Sequence, residues 1–162
     1  MAIPCSTDSD DPFLDRVFIV PAGSNDLDLN FHHIGDKGAP TVGQMLETDS
    51  TLLSVDLGFN DIGPDGIGHI AAAMHSNSTL HTLNVEVNNI GPVGASHLAS
   101  VLLTNSTLTH LNLGANKIGL KGTDSLGIAL RSNSSLTTLS LWDNMLGDAG
   151  TINIVYLKGQ FS

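Results

Sequence analysis

The chain has 162 residues, 41% hydrophobic and 14% charged, which suits one folded core of aliphatic side chains and excludes a disordered tail. Its formal charge is −10, and residues 1–65 hold 12 of the 16 acids but 2 of the 6 bases. That end is a poor match for nucleic acid or an anionic membrane, and a basic protein surface suits it better. Cys5 is the single cysteine, so an internal disulfide and a cysteine zinc cluster are both excluded.

The first stretch, "MAIPCSTDSDDPFLDR", is acidic and lacks the apolar core of a secretory signal, and no apolar run approaches membrane-spanning length. With a lone cysteine, this points to an intracellular, reducing compartment. Residues 1–20 read as an acidic N-terminal cap for the rest of the chain, with "FLDRVFIV" supplying its apolar part.

From residue 21 the chain repeats. Gly35, Gly63, Gly91, Gly119 and Gly147 recur every 28 residues, and Gly38, Gly66, Gly94, Gly122 and Gly150 keep the same step. Five tandem units result, 21–48, 49–76, 77–104, 105–132 and 133–160. Each opens with leucines at alternate positions, as in Leu111 and Leu113, the period of a strand with one buried face. The second half changes period: Leu98, Val101 and Leu102 recur at helical spacing, and Ile70, Ala73 and Met74 hold the same places one unit earlier. A parallel strand needs a crossover of a dozen or more residues to its neighbour, and each unit has room for one strand and one helix. No unit buries its apolar face alone, so the units must stack into a curved solenoid.

The outer units are atypical. In 21–48, Ser24 stands where the first leucine belongs and His32 replaces an asparagine; in 133–160, Lys158 takes the place of Met74, Leu102 and Leu130. The latter is expected to be either an improvised cap or the sign of an array that continues in a longer protein, the second reading being preferred. The asparagine column Asn60, Asn88, Asn116 and Asn144 is expected to form a buried ladder serving backbone groups where the chain leaves the strand. Asn77, Asn105 and Asn133 open Asn-x-Ser/Thr sequons, but these are one sequon copied by the repeat. Each follows a predicted helix, so the expected role is a left-handed C-terminal cap, not a glycan acceptor.

The pattern Leu-x-x-Leu-x-Leu-x-x-Asn-x-Ile-Gly-x-x-Gly, carried by Leu108, Leu111, Leu113, Asn116, Ile118, Gly119 and Gly122, resembles the ribonuclease-inhibitor-like class of leucine-rich repeats over residues 49 to 150. Repeats of NOD-like receptors and Ran GTPase-activating proteins look similar. The resemblance implies an α/β horseshoe with parallel strands on the concave face and helices on the convex face.

Signals of chemistry are better explained by the repeat. Gly66-x-Gly68-x-x-Ala71 is only superficially a phosphate loop, since the repeat already requires Gly66 and no acidic ribose partner lies on a second strand. His69 and His97 share a helix column one unit apart, too distant to meet one zinc ion. His32 and His33 fall in a turn, and no Gly-x-Ser-x-Gly elbow is present. Neither an enzyme nor a cofactor is indicated.

There remains the concave face, where strand residues between the buried leucines form three columns. These are Asp26, Ser54, Thr82, His110 and Thr138; Asp28, Asp56, Asn84, Asn112 and Ser140; and Asn30, Gly58, Glu86, Gly114 and Trp142. Asp26, Asp28, Asp56, Glu86, His110, Asn112 and Trp142 are the candidate partner-binding residues, with acids to steer a basic protein and the only tryptophan as anchor. Phe31 and Phe59 border this surface and are expected to be partly buried. The functional reading is a non-enzymatic protein-protein interaction module. Its competitors are a GTPase-activating fragment, although neither Arg16 nor Arg131 lies in a motif matching such a protein, and a truncated fragment that self-associates through its C-terminal end.

Overall fold

The computed structural model describes residues 24–146. Within them five short strands alternate with four helices: β1 (Asp26–Asp28), α1 (Gly35–Thr48), β2 (Ser54–Asp56), α2 (Pro64–Met74), β3 (Thr82–Asn84), α3 (Gly91–Leu102), β4 (His110–Asn112), α4 (Gly119–Leu130) and β5 (Thr138–Ser140). The strands form one parallel sheet in chain order, β1-β2-β3-β4-β5. The register advances by one repeat per strand, so Leu27, Val55, Leu83, Leu111 and Leu139 stand side by side. Backbone pairing outlasts each strand: the Leu29, Leu57, Val85 and Leu113 amides donate to the Asp56, Asn84, Asn112 and Ser140 carbonyls. The capping segment 1–20, the second half of the fifth unit and the Lys158 position lie outside the described residues.

Each repeat sends the same side chains inward. Leu83, Val85 and Ile90 from the third, and Leu111, Leu113 and Ile118 from the fourth, are buried in one core with Leu98, Val101, Leu102 and Leu126 of the helices. The first unit builds the same strand and helix despite Ser24 and His32. Pro64 and Pro92 occupy first turns, where the missing N–H has no helical partner to lose. Gly91 and Gly119 have φ of 62° and 61°, the left-handed region that favours glycine. Gly94 and Gly122 are required for another reason: a Cβ on Gly94 would meet Ile67 and Ile90, and one on Gly122 would meet Ala95 and Ile118.

A three-residue strand leaves many backbone groups unserved, and two columns of asparagines supply the deficit. Asn60, Asn88, Asn116 and Asn144 are buried, and their Nδ2 groups donate to the Leu29, Leu57, Val85 and Leu113 carbonyls of the preceding repeat at 2.7–2.9 Å. Their Oδ1 atoms accept from that repeat's turn; Asn88, for example, accepts from the Asn60 and Ile62 amides at 3.1 and 2.9 Å. At the start of the array His32 stands in this column, its Nδ1 2.6 Å from the Asn30 carbonyl.

The second column corrects an expectation. Asn77, Asn105 and Asn133 are not left-handed caps, since positive φ occurs elsewhere, in the strand-exit turns. They are buried, and their Nδ2 groups donate to the Leu46, Met74 and Leu102 carbonyls at 2.7–2.9 Å, each on the helix before the one that the asparagine follows. Their Oδ1 atoms accept from the amide three residues on, Leu80, Leu108 and Leu136. The amide therefore bridges two repeats, serving a carbonyl at a helix end that no ladder reaches. In the same column Asp49 keeps only the accepting half. Burial pushes its carboxyl up, but hydrogen bonds from the Thr51 and Leu52 amides and the Thr51 hydroxyl outweigh this and hold it below the usual carboxylate range.

One junction is built differently. Asp36, in the first turn of α1, accepts from the Gly63 and Gly66 amides through Oδ1 at 2.7 and 2.8 Å, so a carboxylate of one repeat caps the helix of the next. Gly63 accordingly turns to φ −93° instead of the positive φ of Gly35, Gly91 and Gly119. The glycine-rich stretch around Gly66 is thus no open phosphate cradle, because Asp36 holds the amides a phosphate would need.

Leu111→Ala should lower unfolding free energy by roughly 2–5 kcal/mol. Asn116→Ala, which leaves the Val85, Leu113 and Gly114 carbonyls without their side-chain donor, should lower it by at least about 2 kcal/mol. Both are read from urea unfolding, and unchanged midpoints would contradict the assigned core. Asp36→Ala should cost about 0.5–2 kcal/mol, with Asp36→Asn recovering part of it, because Asn keeps an accepting oxygen but not the charge.

Candidate functional site

The concave face carries the three columns in the order the register dictates. Asp26, Ser54, Thr82, His110 and Thr138 stand in line, followed by Asp28, Asp56, Asn84, Asn112 and Ser140. Within the second column each Asp or Asn turns back on its own strand exit: Asp28, Asp56, Asn84 and Asn112 accept through Oδ1 from the amide two residues on, at 2.9–3.1 Å.

Lateral bonds tie neighbouring repeats. The Asn84 Nδ2 donates to both carboxylate oxygens of Asp56 at 3.0 Å, and the Asn112 Nδ2 donates to Glu86 Oε2 at 2.7 Å. Two acids are thereby fixed in place by amides, which contribute no positive charge. Among the described residues Asp26, Asp28, Asp56 and Glu86 have no Lys or Arg partner.

The third column alternates large and absent side chains. A Cβ on Gly58 would run into the Asn30 Oδ1 and lie 3.2 Å from Asp56 Oδ1, and one on Gly114 would run into the Trp142 indole. The two glycines therefore make room for neighbours to lie flat on the sheet. Trp142 covers Gly114 while remaining 51% exposed. Asn30 Oδ1 is buried without a hydrogen-bond partner.

Phe31 and Phe59 depart from the expected partial burial. They lie in the strand-exit turns at φ 56° and 54° and stack on each other, with ring centroids 4.4 Å apart and planes 22° apart. Phe31 is 65% exposed and Phe59 38%, because a left-handed turn swings the side chain away from the core. Nothing in the repeat pattern signals this pair, since Val87, Ala115 and Asp143 occupy the same turn position. Asn84, which holds Asp56, is likewise silent in the sequence as a functional residue. Its one signal is the register, which sets it beside Asp56.

On the helix side the His97 ring lies over Gly68. His75 sits between the Thr104 and Ser100 hydroxyls at 2.9 and 3.4 Å, but the Ser100 hydroxyl also donates to the His97 carbonyl at 2.6 Å. No group of three or more metal-ligating side chains occurs among the described residues, and no helix there is long and apolar enough to cross a membrane.

A leucine-rich repeat family model matches residues 25–40, 48–71, 76–99, 104–127 and 132–155, and the chain belongs to that family. Comparison with curated protein sequences gives no match. Among solved structures, the actin-binding site 2 domain of leiomodin-1 is similar with a TM-score of 0.75 at 20% identity, over 85% of this chain and 80% of that one. The tropomodulin C-terminal domain of Caenorhabditis elegans is similar with a TM-score of 0.64 at 13% identity, over 83% of this chain and 87% of that one. At such identities the likeness extends to the fold alone.

Trp142 is the only tryptophan, so its fluorescence reports the packing over Gly114. In Gly114→Ala the indole must move, and quenching by acrylamide should rise while the unfolding midpoint falls by a few degrees at most. Unchanged quenching would show that the ring does not rest on that glycine.

Proposed function

We propose that this chain is a protein-binding module that receives a basic partner on its concave face. The observation that carries the reading is the lateral array Asp56–Asn84 and Glu86–Asn112, which fixes acids on a solvent-facing sheet without neutralising them. Fixed side chains lose little conformational freedom on binding, and uncompensated charge accelerates encounter with an oppositely charged surface. Asp26, Asp28, Asp56 and Glu86 are the steering residues, His110 and Asn112 supply polar contacts, and Trp142 anchors the far end. Repeat scaffolds present such extended surfaces in place of a pocket.

The leiomodin domain is named for actin binding, so actin is one candidate to include. A GTPase-activating role gains no support from Arg131, which follows α4 at its C-terminal end and is not on a strand.

The test is affinity capture from the source cell with three baits: the unmodified chain, an Asp26→Lys, Asp28→Lys, Trp142→Ala variant, and a Val93→Ser variant on α3 of the convex face. A protein retained by the first and third baits but lost from the second supports the concave reading. Equal retention by all three, or loss through Val93→Ser alone, overturns it. Adding actin and a small GTPase to the purified chain, with sedimentation and GTP turnover as readouts, separates those two partners.

A further inference from the structure

The exposed phenylalanine pair is unexplained by folding. Residues 31, 59, 87, 115 and 143 all have positive φ, so the turn itself demands that conformation. Asn, Asp or Gly would adopt it with less strain than a bulky ring. Phe31 and Phe59 accept the strain, and Phe31 leaves most of its ring in water. Strain retained at a surface position where the rings pack chiefly on each other is a mark of use.

The charge around the pair is of one sign. Asp28 and Asp56 stand three residues before the two rings on the same strand exits, facing the concave side, with no Lys or Arg partner among the described residues. On the other side Asp61 follows Phe59 by two residues and lies 3.9 Å from His33 Nδ1, both side chains being exposed. A π face on strand exits that also carry carboxylates without a Lys or Arg partner among the described residues suits a guanidinium. The plane of arginine stacks on the ring while its N–H groups donate to the acids, and it sheds water more readily than an ammonium group.

We propose that the Phe31–Phe59 pair anchors an arginine side chain in a basic segment of the partner, laid over the first two repeats. This rests on the concave-face reading and narrows it to a partner chemistry and a place.

The probes are short fluorescein-labelled peptides of alternating Arg and Gly, of alternating Lys and Gly, and of alternating Leu and Ser, titrated with the full chain and followed by anisotropy. The Arg peptide should bind about two- to fivefold more tightly than the Lys peptide. Phe31→Leu with Phe59→Leu, which keeps apolar surface but removes the rings, should abolish that preference, while Phe31→Tyr with Phe59→Tyr should retain it. Asp28→Asn with Asp56→Asn should weaken both basic peptides and reduce the salt dependence of binding. Thermal unfolding confirms that each variant is folded, and both rings are exposed enough for midpoints to stay within a few degrees.

Equal affinity for Arg and Lys peptides, unaffected by the Leu variants, overturns the aromatic anchor but leaves concave electrostatics standing. Preference for the Leu–Ser peptide, or self-association lost in the Leu variants, overturns it in favour of an apolar ligand or a second copy. Absence of binding to every peptide also overturns it, and the capture experiment then judges the concave face independently.

Discussion

The structure depends on the side-chain amide of asparagine, placed where a very short strand ends and the backbone still has groups to satisfy. A carbonyl buried without a partner costs roughly as much as a lost hydrogen bond, and a solenoid of three-residue strands would bury many. The Asn60 to Asn144 column serves the strand exits and the Asn77, Asn105 and Asn133 column serves the turn behind each helix. An amide is suited to this because it donates and accepts at once. Each asparagine joins its own repeat to an earlier one, so the same interaction that closes a turn also stacks the units.

Constancy of register follows from those bridges. A repeat that slipped by one residue would exchange its buried leucines for polar neighbours and strand every amide. The sheet therefore presents its outward residues in straight columns, and a column of side chains in fixed order is the surface a partner meets. On this face the glycines act as spaces: Gly58 admits Asn30 and Gly114 admits the Trp142 indole. Asp26 and Asp28 lie at one end of the row, Asp56 and Glu86, held by Asn84 and Asn112, follow in the second and third repeats, and the tryptophan lies at the other end.

Much of this is legible in the sequence because it is written several times. A leucine read once is ambiguous between strand and helix, but a position held by Val55, Leu83 and Leu111 at constant spacing is not. The columns of the concave face follow directly, since the register equals the repeat. Asn77, Asn105 and Asn133 mislead for a definite reason. An asparagine after a helix suits a left-handed cap on local grounds, and only a helix carbonyl of an earlier repeat makes the buried alternative preferable. Asp36 gives no local signal because its partners, Gly63 and Gly66, lie one repeat away, and the next three units have Pro64, Pro92 and Leu120 in its place. The phenylalanine pair is hidden because exposure depends on the direction of a turn, which composition does not record.

The sequence by itself determined the period, the strand and helix within each period, the buried aliphatic positions and the polar columns between them. These are consequences of spacing, and spacing is local. The tertiary structure alone decided which polar atoms are shared between repeats, which acids remain uncompensated, and that Phe31 and Phe59 stack in solvent. Those outcomes are set by distances between residues far apart in the chain, and such distances exist only once the repeats have stacked.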